Sequence, residues 1–98
     1  MVQIRERYDY TTCPRCRKKK LCYRIYSAKS GYEERIFECG NKVVVEVKNP
    51  LTGGLIYEAE SWVEAVARAR MNVRAFNEVV ELYGCEESEE CSEECVVS

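Results

Sequence analysis

Histidine is absent from this chain of 98 residues, and its absence limits the chemistry that the chain can perform. No imidazole is available as a general base, and any site for a soft metal ion has to be built from cysteine thiolates. A phosphate-binding loop is also missing, because Gly53-Gly54 lacks the flanking Lys and Ser/Thr of such loops. No nucleophile has an identifiable partner. The sequence therefore predicts a protein that is not an enzyme.

Long apolar segments are missing as well. Residues 1–7 lack the apolar core of a signal peptide, and no apolar run approaches the roughly 20 residues that a membrane-spanning helix needs. We therefore expect an intracellular, cytoplasmic protein. In that compartment cysteines usually stay reduced and bind metals, although cytosolic proteins of hyperthermophiles can be rich in disulfides.

Cysteine, by contrast, is abundant, with seven residues in the chain. The knuckle Cys13-Pro14-Arg15-Cys16 holds two of them at the spacing from which a tight turn can direct both sulfurs at one metal ion. Cys39 supplies a third thiol further along the chain. A domain of this size often gains from a metal or a covalent cross-link, because its own hydrophobic core is modest. The pattern predicts a structural zinc ion held by these cysteines and a fourth ligand.

The pattern does not determine that fourth ligand. Cys22 is the nearest candidate in sequence, but it would have to face the site from the side of its strand opposite to Leu21 and Tyr23. Three cysteines near the C-terminus are the alternatives, as ligands, as a disulfide or as a separate cluster: Cys85, Cys91 and Cys95. Disulfides without metal, or an iron–sulfur cluster, stay open as alternatives to zinc.

The net charge of −2 conceals two halves of opposite sign. Residues 1–49 carry twelve Lys/Arg against six Asp/Glu, whereas residues 50–98 carry three against eleven. The acidic excess is concentrated in residues 85–95, a segment that we expect to be mostly solvated unless its cysteines hold it down. Its glutamates are Glu86, Glu87, Glu89, Glu90, Glu93 and Glu94.

The basic excess lies around the knuckle and has tyrosines interleaved. Phosphate contact, with aromatic side chains stacking on single-stranded bases, is one interpretation of this pattern. A solvated loop, screened by the chain's own acidic segment, is the other. The candidate nucleic-acid-binding residues are Arg15, Arg17, Lys18, Lys19, Lys20, Tyr23, Arg24 and Tyr26.

Alternation of apolar and polar residues predicts an antiparallel meander over residues 1–57. Ser61 and Glu64 form a capping box that begins a helix over residues 61–83, and Gly84 is placed to end it. We therefore predict one α+β domain over residues 1–84, followed by an acidic, cysteine-bearing tail over residues 85–98.

The predicted helix carries one apolar stripe along its whole length. Packing of this stripe on the sheet is one explanation, and a self-association seam between two copies is the other. The stripe consists of Trp62, Val66, Ala69, Val73, Phe76, Val80 and Tyr83.

Residues 11–42, with the knuckle, a polar turn and a return strand ending at Cys39, resemble the zinc ribbon of archaeal and eukaryotic transcript-cleavage factors and RNA polymerase subunits. The resemblance implies a three-stranded sheet with one zinc ion. The fourth ribbon cysteine is replaced here by Asn41. The catalytic Asp-Glu pair of the cleavage factors is not matched either. Glu33 and Glu34 lie nearby, but neighbouring strand residues point to opposite faces and cannot converge on one magnesium ion.

Two functions from different classes are consistent with these features. The first is a small non-enzymatic zinc-binding regulator that contacts nucleic acid or the transcription machinery through the basic knuckle. The second is a protein-interaction or assembly module that dimerises through its helix and is stapled by disulfides, a composition compatible with small proteins of archaea and their viruses. A cysteine-based redox protein is a third interpretation, although metal ligation explains the knuckle more simply.

Overall fold

The computed structural model describes residues 4–87, with side chains for residues 4–82. Five antiparallel strands form one sheet in the order of the chain, and a single helix follows them, which confirms the predicted α+β class and the meander. The elements are β1 (Ile4–Thr12), β2 (Lys19–Ser27), β3 (Glu33–Cys39), β4 (Lys42–Asn49), β5 (Gly53–Ala59) and α1 (Trp62–Glu87). Within residues 4–87, no helix is long and apolar enough to cross a membrane.

The strand registers divide the sheet into two faces with different coverings. On one face Ile36 of β3 lies between Tyr23 and Val45 of its neighbouring strands, and α1 packs over them. Ala69 and Val73 of the helix are fully buried there. The fully buried members of the predicted stripe therefore pack on the sheet, as the first of its two explanations requires.

On the opposite face Phe37 of β3 pairs with Cys22 of β2 and Val44 of β4. These three side chains are also buried, but the helix is not what covers them. They form a second cluster with Cys13 of the knuckle, and Cys16 and Cys39 pack against it. Neighbouring residues of β3, Ile36 and Phe37, thus belong to two separate cores.

The capping box is present at the start of α1. The backbone N–H of Glu64 donates to Ser61 Oγ over 3.1 Å, and Glu64 Oε1 accepts from the backbone N–H of Glu60 over 3.2 Å. The predicted end of the helix was wrong, because α1 continues through Gly84 to Glu87. A glycine lowers the stability of a helix by only about 1 kcal/mol relative to alanine, so a helix can continue through it.

Asn49-Pro50 and Gly53-Gly54 predict a loop between two strands of the meander, and the structure has a short turn there. Asn49 Oδ1 accepts hydrogen bonds from the backbone N–H groups of Leu51 and Thr52, which closes the turn within a few residues. Gly53 then begins β5 with a φ of +95°, a conformation that favours glycine. The strand that follows the turn extends from Gly53 to Ala59, and it pairs with residues 43–49 of β4.

Glu33 and Glu34 lie on opposite faces of the sheet. Glu33 is held by Arg24, whose Nε donates to it over 2.9 Å, and by Arg35. Glu34 is fully buried beneath α1, where its Oε2 accepts from the hydroxyl of Tyr32 over 2.6 Å and from Asn72 over 2.9 Å. The two carboxylates cannot share a metal ion, which agrees with the expectation drawn from their positions in one strand.

We expect Tyr32→Phe to lower the free energy of unfolding by about 1–3 kcal/mol, because it leaves the buried Glu34 carboxylate without its shortest donor. Tyr57→Phe is the matched control. Its hydroxyl is also buried but has no partner within the described part of the chain, so its removal should change stability by less than about 0.5 kcal/mol. Urea denaturation of the two variants provides the measurement. Equal losses would contradict a specific role for the Tyr32 hydroxyl.

Candidate metal centre

The knuckle is a tight turn between β1 and β2. The backbone N–H of Arg17 donates to the carbonyl of Cys13 over 2.9 Å, and the N–H of Cys13 donates to the carbonyl of Lys18 over 2.9 Å. Arg17 adopts a φ of +65°, a left-handed conformation that is uncommon for a residue with a side chain. These features turn the chain back on itself, so that Cys16 lies beside Cys13.

Cys39, at the end of β3, lies next to the knuckle. The Sγ atoms of Cys13, Cys16 and Cys39 all lie within 4.8 Å of one another. A tetrahedral zinc ion with Zn–S bonds of about 2.3 Å requires sulfurs about 3.8 Å apart, so a small rearrangement fits the three thiols to the metal. All three cysteines are unpaired, as is Cys22, and no disulfide joins any of these four within the described part of the chain. We call these three thiols the metal centre, because together they could hold a metal ion. They are three of the four ligands predicted from the sequence.

The thiols of Cys16 and Cys39 have opposite pKa shifts. A backbone hydrogen bond from Lys18 lowers the pKa of the Cys16 thiol, and hydrogen bonds from Cys13 and Cys39 add to the effect. The hydrogen bond with Cys16 in turn raises the pKa of Cys39. Cys16 is therefore the more readily ionised of the two, which suits it to bind a cation as a thiolate.

Cys22, the nearest candidate in sequence for the fourth ligand, is not part of this group of thiols. It is on the same face of the sheet as the metal centre, as that prediction required, but it packs with Phe37 and Val44 in the cluster beneath. Burial raises the pKa of its thiol to about 11. The structure therefore places Cys22 as an apolar side chain that supports the metal centre from below.

Three further cysteines follow in the C-terminal part of the sequence, Cys85, Cys91 and Cys95. The backbone of Cys85 belongs to the last turns of α1. Cys91 and Cys95 lie outside the described residues. Among the side chains that the structure describes, the three clustered thiols are therefore the full set of grouped ligands.

The candidate nucleic-acid-binding residues fall into three groups. Arg15, Arg17, Lys18 and Lys19, the knuckle cations, are exposed, and no described carboxylate lies within 4.0 Å of them. Lys20 donates to the carbonyl of Glu38 over 3.0 Å. The third group consists of Tyr23, Arg24 and Tyr26, which are partly buried.

This third group does not form one surface. Arg24 lies over the ring of Tyr26 and bonds Asp9 and Glu33 on the face away from α1. Tyr23 lies on the other face, where its hydroxyl donates to Glu6 over 2.5 Å. The structure therefore does not bring Tyr23 and Arg24 together, because adjacent residues of β2 point in opposite directions.

Two exposed tyrosines next to the knuckle were missed by the sequence reasoning. Tyr8 and Tyr10 are 59% and 64% exposed, and Tyr10 pairs with Leu21, two residues from the start of β2. Their alternation with charged residues predicted a half-buried strand. The signal that could have identified them is the position of β1 at the edge of the sheet, where α1 covers the side chains only partly.

The cross-strand ion pairs on the face away from α1 were also missed. They connect Asp9, Arg24, Glu33, Arg35 and Glu46 across four strands. Although burial raises the pKa of Glu33, the hydrogen bonds from Arg24 and Arg35 outweigh it and hold that pKa below its usual range. The alternating signs of charge in these strands could have indicated the network.

No protein-family model, no curated protein and no solved structure matches this chain.

Proposed function

We propose that this protein is a metal-stabilised module that binds the phosphate backbone of single-stranded nucleic acid through the knuckle cations. The observation that carries the proposal is that the knuckle cations have no carboxylate partner among the described residues. Most other cations of the sheet and helix are paired, for example Arg24 with Glu33 and Arg70 with Glu6. Four unpaired positive charges within five residues repel one another, and an external polyanion would relieve that repulsion.

The position of the knuckle cations depends on the metal centre. Arg15 lies between two ligands, and Arg17, Lys18 and Lys19 follow directly after the second. A metal ion that fixes Cys13 and Cys16 would therefore also fix the spacing of the cations. In this role the metal is structural, and the proposed function is non-enzymatic.

Tyr8 and Tyr10 support single-stranded rather than double-stranded nucleic acid as the partner. Their exposed rings lie on the strand that leads into the knuckle, so bases could stack on them while phosphates contact the cations. Regulation through the transcription machinery, which the zinc-ribbon resemblance suggests, would be one setting for such binding.

The proposal is tested by titrating a fluorescently labelled single-stranded oligonucleotide with zinc-loaded protein at several salt concentrations. Contacts with four phosphates predict a slope of about −3 for log K against log salt concentration. Removal of zinc with a chelator should weaken binding and flatten the slope, because the cations lose their fixed spacing. Absence of binding by the zinc-loaded protein at low salt would refute the proposal.

A second candidate function is assembly through α1. The helix carries four exposed apolar side chains, Val63, Met71, Val79 and Leu82. A second copy of the chain would cover these side chains in a helix–helix contact. A dimer whose formation depends on protein concentration and is indifferent to nucleic acid would favour this function over the first.

A further inference from the structure

A cleft lies between the start of α1 and the sheet, on the face that the helix covers. It has a volume of about 340 Å³ and is lined by Tyr8, Leu21, Glu38 and Trp62. A second cavity of about 390 Å³ shares Tyr8 and Trp62 with it. Pockets for small molecules typically measure about 300–1,000 Å³. The first cleft is therefore large enough for a small ligand, and its lining includes one charged residue.

The walls of this cleft are aromatic and held in place. Trp62 begins α1 directly after the Ser61 cap, and it packs against the core cluster beneath the helix. The ring of Tyr8 lies on the ring of Tyr23 at a centroid distance of 4.9 Å. The Tyr23 hydroxyl is in turn bonded to Glu6. Aromatic side chains fixed in this way can stack on a flat ring with little further loss of conformational freedom.

Glu38 contributes the carboxylate of the cleft. No described lysine or arginine lies within 4.0 Å of this carboxylate, whereas Glu6, Glu33 and Glu46 are each paired with an arginine. Lys20 bonds the backbone carbonyl of Glu38 and not its side chain. Both carboxylate oxygens are therefore available to accept hydrogen bonds from a ligand.

The cleft lies next to the knuckle cations. In β2, Lys19 and Leu21 are two residues apart, so their side chains point to the same face about 7 Å from each other. A phosphate at Lys19 and a base in the cleft could thus belong to one short stretch of nucleic acid. Aromatic walls can also bind a positively charged group. The neighbouring cations would repel such a group, which favours a neutral base as the occupant.

The hydrogen-bonding groups of the bases decide which of them fits Glu38. A carboxylate has two acceptor oxygens and no donor. On its Watson–Crick edge guanine presents two neighbouring donors, N1–H and the 2-amino group, which can bond both oxygens at once. Adenine and cytosine present one donor beside a ring-nitrogen acceptor, and thymine and uracil place one donor between two carbonyl acceptors. Each of these would turn a lone pair towards the carboxylate, so guanine is the best match.

We infer that the cleft between Tyr8 and Trp62 binds a guanine base of single-stranded nucleic acid and that Glu38 is the residue that recognises this base. The inference rests on the proposed function, in which the knuckle cations bind the adjoining phosphates. It adds a base preference to binding that the phosphate backbone alone would leave independent of sequence.

The test uses zinc-loaded protein and thymine pentanucleotides that carry one other base at the centre, which is guanine, hypoxanthine, adenine or cytosine. Hypoxanthine is guanine without its 2-amino group, so it keeps only one of the two donors. Trp62 is the only tryptophan of the chain, and its fluorescence therefore reports stacking in the cleft. Glu38→Gln is the specificity variant. Glu78→Gln is the control with the same change in charge, because Glu78 lies sixteen residues, or about 24 Å, beyond Trp62 along α1.

We expect the guanine oligonucleotide to bind at least about 5-fold more tightly than the other three and to quench the fluorescence of Trp62. Glu38→Gln should lose this preference, and Glu78→Gln should retain it. Equal affinity for all four oligonucleotides, a preference for another base, or a guanine preference that survives in Glu38→Gln would overturn the inference and leave the proposed function intact. Guanine binding without a change in Trp62 fluorescence would also overturn the inference. Failure of every oligonucleotide to bind at low salt would overturn both.

Discussion

Replacing Cys16 with serine is expected to weaken zinc binding by more than about 100-fold, which exceeds the usual effect of residues that merely support metal ligands. The reason is geometric, since the Cys16 sulfur is one of three that lie within 4.8 Å of one another. It also accepts a hydrogen bond from the backbone of Lys18. Competition with a chromogenic chelator measures the affinity. Thermal unfolding measures its consequence, because zinc at about 1,000 times its dissociation constant adds about 4 kcal/mol to wild-type stability. The variant should lose that response.

Cys22→Ala is the matched control for this experiment. Cys22 is as buried as Cys13 and lies in the same cluster, yet its sulfur is not part of the metal centre. We expect this variant to lose roughly 1 kcal/mol of stability from the small cavity and to keep its zinc affinity. Loss of zinc in Cys22→Ala, comparable to that in Cys16→Ser, would show instead that Cys22 is the fourth ligand.

Removing three knuckle cations is expected to weaken binding of single-stranded nucleic acid by about 100-fold at 0.1 M salt. Loss of three phosphate contacts should also reduce the slope of log K against log salt concentration by about 2. The variant carries Arg15→Gln, Arg17→Gln and Lys18→Gln, and fluorescence anisotropy with a labelled oligonucleotide measures both quantities.

The chain offers a control with the same change in net charge. Arg5, Lys48 and Arg74 also lack a described carboxylate within 4.0 Å, but they lie on three separate elements, β1, β4 and α1. Their replacement by glutamine removes two arginines and one lysine, as in the knuckle variant. Only a small loss is expected from it. If both variants lost affinity equally, binding would reflect overall charge and not the knuckle.

The knuckle could be predicted from the sequence because its geometry is local. Two cysteines around Pro14 are confined to one tight turn whatever the rest of the chain does. Cys39 could be placed beside them because the meander returns β3 to the same end of the sheet. The identity of the metal and the zinc-ribbon relationship are not tested by this geometry and stay predictions.

The parts that the sequence could not predict depend on which face of the sheet α1 covers. Alternation places Tyr23 and Arg24 on opposite faces but does not say which face is buried. In the structure, Tyr23 lies on the face that α1 covers, and Arg24 lies on the opposite face with the ion pairs. The end of α1 could not be predicted either, because a glycine can end a helix or lie within one. Gly84 within α1 costs only about 1 kcal/mol of helix stability relative to alanine.

Because Ile36 and Phe37 point to opposite faces of β3, this strand contributes side chains to both hydrophobic cores. One side supports the helix and the other supports the thiol cluster, so neither core can loosen without exposing part of the same strand. We therefore expect metal binding at the knuckle and packing of α1 to be thermodynamically coupled, although the two sites lie on opposite faces of the sheet. In that case, a change in metal-ion concentration would change the free energy with which the helix is held on the sheet.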